Sequence, residues 1–273
     1  MKLNDTMHGL YVVDNFVEDA KAVIVINHGF AEYTGRYDWV TQVLNDNGYS
    51  VVRYDVKEHG NSIGKIESYQ DMIADLRGVV IHARDSHPNT PIYNLGHSMG
   101  GLITAMMGIE FGDLVDGQIL SGPAVGNLPA VKGIKRPFLK LAGNLLPNMM
   151  INNVVENDIC SDPEVVSAYK QDPMVIKKAR AHFLKEFTVS APQFIYDNAK
   201  SYQCNLLILH GEQDIIVPPS VSEWFFEHVS SSSKKRITYP GLYHEILNEP
   251  SKMEVMSDIL EWLEYQLESR KMK

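Results

Sequence analysis

A serine framed by two glycines, Gly96-His97-Ser98-Met99-Gly100, stands where the strand-forming run PIYNL gives way to the helix-forming segment from Leu102 to Phe111. Glycines on both sides of a strand-to-helix joint imply a backbone bent too tightly for larger side chains, and the bend pushes the serine hydroxyl into the open. The same pattern also fits a glycine-rich turn with an incidental serine, so its chemical partners must decide. A neutral alcohol is too weak to attack an ester unaided. It needs a base to take its proton, and the base needs an acid to fix its tautomer.

In the α/β-hydrolase form of such an elbow the acid and then the histidine follow the serine in chain order. The acid belongs in a loop after a later strand, and LLILHGEQDIIVP supplies Asp214 there, with Glu212 a weaker alternative nearer the strand end. Of ten histidines only His228 and His244 follow Asp214. His228 falls within the helical pattern SVSEWFFEHV, as a surface or cap-side residue would. His244 lies in the loop PGLYHEILNEP after the last strand, and is the expected base. Acyl transfer also needs donors for a developing oxyanion. The backbone N–H of Met99, opening a helix, is one candidate. The N–H of Phe30, in the loop after the strand AVIVIN, is the other. His28 and His97 read as scaffold residues of their loops. His244-Glu245-Ile246-Leu247-Asn248 begins like a zincin helix but has asparagine where the second histidine must stand, so no metal site is expected.

These residues need a scaffold. Near-continuously apolar strands (AVIVIN, YSVVRYD, PIYNL, LVDGQILSG) alternate with helix-length amphipathic segments, which predicts a mostly parallel, doubly wound α/β sheet with helices on both faces. The alternation stops from Gly122 to Tyr202, where prolines break a stretch of helices and loops, and resumes with CNLLILHG, a helix from Pro219 to Val229, KRITYP and a final helix from Ser251 to Leu267. The expected organisation is a core of residues 1–121 and 203–273, interrupted after the sixth strand or so by a helical cap of residues 122–202. Such an insertion would cover the sheet's C-terminal edge, where ligands bind in open α/β folds.

A net charge of −9 over 273 residues argues against nucleic acid as a partner. The N-terminus MKLNDTMHGLYVVDNF lacks the apolar core of a signal peptide and no run is long and apolar enough to span a bilayer, so a cytoplasmic location is expected. The two cysteines, Cys160 and Cys204, have no metal-like spacing and read as structural.

The blocks HGFAEYTGRY, DVKEHGNS, GHSMGG, SDPEVVSAYKQDP, HGEQDIIV and GLYHEILNE occur in the order found in the monoacylglycerol lipase and lysophospholipase-like branch of the α/β-hydrolases, which the chain resembles from about Tyr11 to Leu267. The resemblance implies Ser98 as nucleophile, Asp214 as acid, His244 as base, the Phe30 and Met99 amides as oxyanion hole, no cofactor, and a lid over an acyl-chain pocket. Two positions depart from the pattern: Tyr33 stands where histidine is frequent, and Glu58 replaces the glycine before His59-Gly60. The cap segment LPAVKGIKRPFLKLAGNLLPNMMI sets Lys132, Lys135, Arg136 and Lys140 among apolar residues. That pattern suits lipid contact, or a lid packed on its own core, since every amphipathic helix has an inner face. Its apolar stretches, Leu145 and Leu146 among them, are expected to line a channel for one acyl chain, together with Met174-Val175-Ile176. The expected activity is hydrolysis of single-chain carboxylic esters through an acyl-enzyme. A broad short-chain or aromatic carboxylesterase and a non-catalytic binding protein on the same fold are the rival readings.

Overall fold

The computed structural model describes residues 9–129, 135–153 and 158–272. Seven strands form the main sheet: β1 (Val12–Asn15), β2 (Ala22–Asn27), β3 (Tyr49–Tyr54), β4 (Ile92–His97), β5 (Gly117–Ser121), β8 (Leu206–Gly211) and β9 (Lys234–Tyr239), in the order β1-β3-β2-β4-β5-β8-β9. Every pairing is parallel except β1 with β3. Five of these strands, β2, β3, β4, β5 and β8, are buried along their whole length. Alternation within β2 shows why the strand reads as continuously apolar: Val23 and Val25 enter one core cluster, while Ala22, Ile24 and Ile26 enter the other.

Helices α2 (Tyr69–Ser86), α3 (Met99–Phe111) and α8 (Pro219–His228) cover the first face, and α1 (Asp38–Asp46) and α9 (Lys252–Lys271) the second. Helix α3 is buried from Met99 through Gly108, so its sequence is apolar all round rather than on one stripe. A reciprocal cap starts α2: Ser68 Oγ accepts from the Gln70 N–H at 3.0 Å, and Asp71 Oδ2 accepts from the Ser68 N–H at 3.0 Å.

Three features differ from the sequence expectation. The segment from Gly122 to Tyr202 follows the fifth strand of the main sheet, the short antiparallel edge strand β1 being the first. Between Gly122 and Tyr202 lie not only α4 (Lys135–Leu145), α5 (Pro163–Gln171), α6 (Ala181–Lys185) and α7 (Ala191–Asn198) but also β6 (Met150–Asn152) and β7 (Lys178–Arg180), which pair antiparallel. Three-residue strands carry no readable period. Third, Leu145 and Leu146 are exposed on the outer surface rather than lining a channel. Lys132 lies outside the described residues. The last part of the segment returns to the sheet: Ala191 and Ile195 of α7 join the α3 side of the core, and the chain then enters β8 beside β5.

Candidate active site

Ser98 sits between β4 and α3 with φ 52° and ψ −114°, a left-handed backbone that a non-glycine residue adopts at a cost of about 1–3 kcal/mol. The flanking glycines are needed for space. A Cβ on Gly100 would lie 2.0 Å from the Asn27 carbonyl oxygen, and one on Gly96 would lie 2.4 Å from the Gly100 carbonyl oxygen. The strain therefore falls on the serine, while glycine lets α3 approach β4 and the loop after β2. The Ser98 N–H donates to the Ser121 carbonyl at 2.9 Å and its carbonyl accepts from the Ala124 N–H at 3.0 Å, so the elbow is pinned to the end of β5.

Asp214 and His244 converge from the loops after β8 and β9. His244 Nδ1 donates to Asp214 Oδ2 at 2.6 Å, and the remaining oxygen, Oδ1, accepts the N–H groups of Ile216 at 3.0 Å and Val217 at 2.8 Å. Burial alone would raise the Asp214 carboxyl, but the His244 charge and the hydrogen bonds from His210 and His244 hold it well below the usual carboxylate range. Burial alone would lower His244, yet Asp214, with Glu245 and Glu32 adding, keeps its imidazole above the ordinary histidine value. Glu212, the weaker alternative acid, is exposed, and His228 is exposed at the end of α8, bonded to the Trp224 carbonyl.

Ser98 and His244 line one cavity of about 40 Å³ with Gly29, Phe30, Glu32, His97, Leu128, Ile159, Tyr169, Phe187, Ile216, Val217 and Glu245. The structure holds the Asp214–His244 bond without a hydrogen bond from the Ser98 hydroxyl to His244, a contact that in unliganded hydrolases commonly tightens only with substrate. A Cβ on Gly29 would lie 3.3 Å from Ser98 Cβ, so the Gly29-Phe30 loop runs beside Ser98. The Phe30 N–H has no hydrogen-bond partner among the described residues, and the Met99 N–H opens α3, where first-turn amides lack an intrahelical acceptor. His28 braces this loop, bonding the Gly29 carbonyl through Nδ1 at 2.8 Å and accepting the Val56 N–H at Nε2 at 2.9 Å. His97 bonds the Ser121 carbonyl through Nδ1 at 3.0 Å and packs its ring 4.7 Å from that of His244; burial and the neighbouring His244 push it down to about 4.

Sequence reasoning missed a buried ion network beside this cavity. Arg36 Nε donates to Glu32 Oε1 at 2.9 Å, and Arg36 Nη2 donates to Glu245 Oε2. Glu32 Oε2 also accepts the Gly29 N–H at 2.7 Å and the Tyr37 hydroxyl at 2.8 Å, tying the network to the Gly29-Phe30 loop. Burial would raise Glu32, but Arg36, His97, His28 and the Gly29 N–H together hold it low, whereas burial pushes Glu245 up to about 7. Adjacency of Glu245 to His244 was the only available signal, because Arg36 and Glu245 are 209 residues apart.

The family model described as serine aminopeptidase, S33, matches residues 18–251. The chain belongs to that family. It is 34% identical over 248 residues to the monoacylglycerol lipase of Mycolicibacterium smegmatis, covering 90% of this chain and 89% of the relative. It is 28% identical over 239 residues to phospholipase YtpA of Bacillus subtilis, covering 86% and 92%. The crystal structure of the Paleococcus ferrophilus monoacylglycerol lipase superimposes with a TM-score of 0.84 at 25% identity, covering 94% of this chain and 99% of that one. The fold is that of the α/β-hydrolases, and this S33-family member is a serine ester hydrolase.

Proposed function

We propose that Ser98, Asp214 and His244 form the catalytic triad of an enzyme that releases one fatty acyl chain from a neutral alcohol, a monoacylglycerol-type substrate. The observation that carries the reading is the shared cavity, in which Ser98, the Asp214-oriented His244 and the free amide of Phe30 meet an apolar lining. His244 takes the Ser98 proton as Oγ attacks the ester carbonyl, and the Phe30 and Met99 amides receive the oxyanion. The alkoxide leaves with the proton from His244, and water attacks the acyl-enzyme by the reverse proton path. Removing one such amide donor would raise the barrier by about 2.7–4 kcal/mol.

The lining argues for a neutral leaving group. Among the described residues no arginine or lysine lines the cavity, and the nearby Arg36 is matched by two carboxyls, which leaves none of them free to bind a phosphodiester. Residues 122–202 act as a cap in this reading, contributing Leu128, Ile159, Tyr169 and Phe187 to the cavity wall. About 40 Å³ holds a few waters rather than an acyl chain, so these side chains must move for substrate to enter. The outer face of the cap exposes Phe138, Leu141, Leu145 and Leu146 beside the exposed Lys135 and Lys140, and serves to hold the enzyme at a lipid surface. No helix among the described residues is long and apolar enough to cross a membrane.

A fluorophosphonate probe should label Ser98, and Ser98→Ala should abolish labelling with the fold intact. The kcat/KM for glycerol monoesters of rising chain length should climb, each buried methylene adding up to about 0.8 kcal/mol. Lysophospholipids, triacylglycerols and aminoacyl anilides should be poor substrates. Acetyl esters fastest of all would replace this reading with the short-chain esterase, and anilides fastest with a peptidase.

A further inference from the structure

The carboxylate of Asp214 is held by a second histidine. His210, fully buried on β8, brings Nε2 to 3.1 Å from Asp214 Oδ2 and 2.7 Å from the Val217 carbonyl oxygen. Neither an ionised carboxylate nor a carbonyl can donate, so Nε2 carries the proton and shares it between them. At the other side of the ring, Nδ1 lies 2.8 Å from Ser222 Oγ of α8, which is also 3.0 Å from the Pro219 carbonyl. Ser222 Oγ thus bridges the ring nitrogen and the start of α8 and fixes the plane of the His210 ring.

With this bond counted, Asp214 accepts four hydrogen bonds: Ile216 N–H and Val217 N–H on Oδ1, His244 and His210 on Oδ2. Every acceptor site of the carboxylate is then filled, and it cannot rotate without breaking one. Asp214 itself sits on a loop, whereas His210 belongs to a fully buried strand and Ser222 to a packed helix. We propose that His210, set by Ser222, is a positioning residue that locks the catalytic carboxylate in the orientation His244 needs and tempers its pull on the His244 proton. The proposal rests on the triad reading above. His210 does not line the cavity, so it acts through Asp214 and not on substrate.

The groups facing His244 are Asp214 from the loop after β8, His97 from β4, Glu32 from the loop after β2 and its own neighbour Glu245. Of these only Asp214 touches His210, so loss of the His210 donor should reach His244 through one path. A less satisfied Asp214 is a stronger base and holds the His244 proton more tightly, so the acid limb of activity should move to higher pH.

The experiment is a pH profile of kcat and KM on a soluble monoester for the full chain and for His210→Ala, His210→Gln and Ser222→Ala, with melting temperatures measured in parallel. His210→Ala should lower kcat by about 10- to 100-fold with KM nearly unchanged, as supporting residues of this kind do, and raise the acid limb. His210→Gln, which can return an N–H near the Nε2 position, should recover part of kcat and bring the limb back. Ser222→Ala should move both in the direction of His210→Ala by less, and covers the case in which His210→Ala fails to fold. Equal losses in the alanine and glutamine variants, falling in step with melting temperature while the limb stays in place, would overturn the proposal and leave His210 as packing. Labelling of Ser98→Ala by the fluorophosphonate probe would instead overturn the triad reading itself.

Discussion

Arg180, the last residue of β7, holds Glu58 by two hydrogen bonds, Nε to Oε2 at 2.8 Å and Nη2 to Oε1 at 2.7 Å. Glu58 also accepts the Ile66 N–H at 2.9 Å, and it adopts φ 67°, the conformation that explains why glycine is frequent there. On the other side of the same segment the Tyr33 hydroxyl donates to Asp172 Oδ2 at 2.8 Å. The two positions at which the sequence departs from its branch thus each tie residues 122–202 to a loop near the site.

Glu58→Gly should relieve the strained backbone yet leave the buried Arg180 without its main partner. Loss of a charged hydrogen-bond partner in such a place costs about 1–3 kcal/mol, more than the relief returns. Urea denaturation should show a lower midpoint for Glu58→Gly, and the double variant with Tyr33→Phe should fall further and cleave long monoesters with a raised kcat/KM. An unchanged midpoint would mean that the tie contributes nothing to stability.

His244 must be neutral to accept the Ser98 proton, and its folded value lies above 6.5. Activity is therefore lost as pH falls through that raised value, and the acid limb of kcat/KM should have its midpoint above 6.5. Asp214→Asn removes the main cause of the shift, so residual activity should show a limb at lower pH. His244→Ala should lose nearly all turnover and His228→Ala little. A wild-type midpoint below 6 would contradict the Asp214–His244 coupling.

Gly100→Ala should prevent folding or cost at least ~3 kcal/mol, since its Cβ would meet the Asn27 carbonyl, which belongs to a rigid strand end. Gly241→Ala is the control: its φ is +78° but nothing lies within 4 Å of the added carbon, so only the backbone penalty of about 1 kcal/mol applies. Soluble yield and melting temperature of the two variants should separate widely.

Replacing Leu145 and Leu146 with serine should leave chain-length preference on soluble monoesters unchanged, because the two side chains are 69% and 57% exposed on the outer face. Sedimentation with anionic vesicles should weaken instead. A selective loss on long chains in solution would place these residues in an acyl channel after all.

Much of this protein was written in its chain locally. The elbow was legible because Gly96, Ser98 and Gly100 must share one turn, and the sheet because β2, β3, β4 and β8 are apolar on both faces. The order of Ser98, Asp214 and His244 followed from where strands end, and a parallel sheet brings those ends to one edge. Tertiary structure decided what depends on distant partners: the Arg36 bridge to Glu245, the Glu58 tie to Arg180, and the exposure of Leu145 and Leu146. Periodicity along a chain reports which side of an element is apolar. It carries no information on which of two apolar neighbours, the core or a lipid surface, that side will meet, nor on which charges 100 or more residues apart will be buried together.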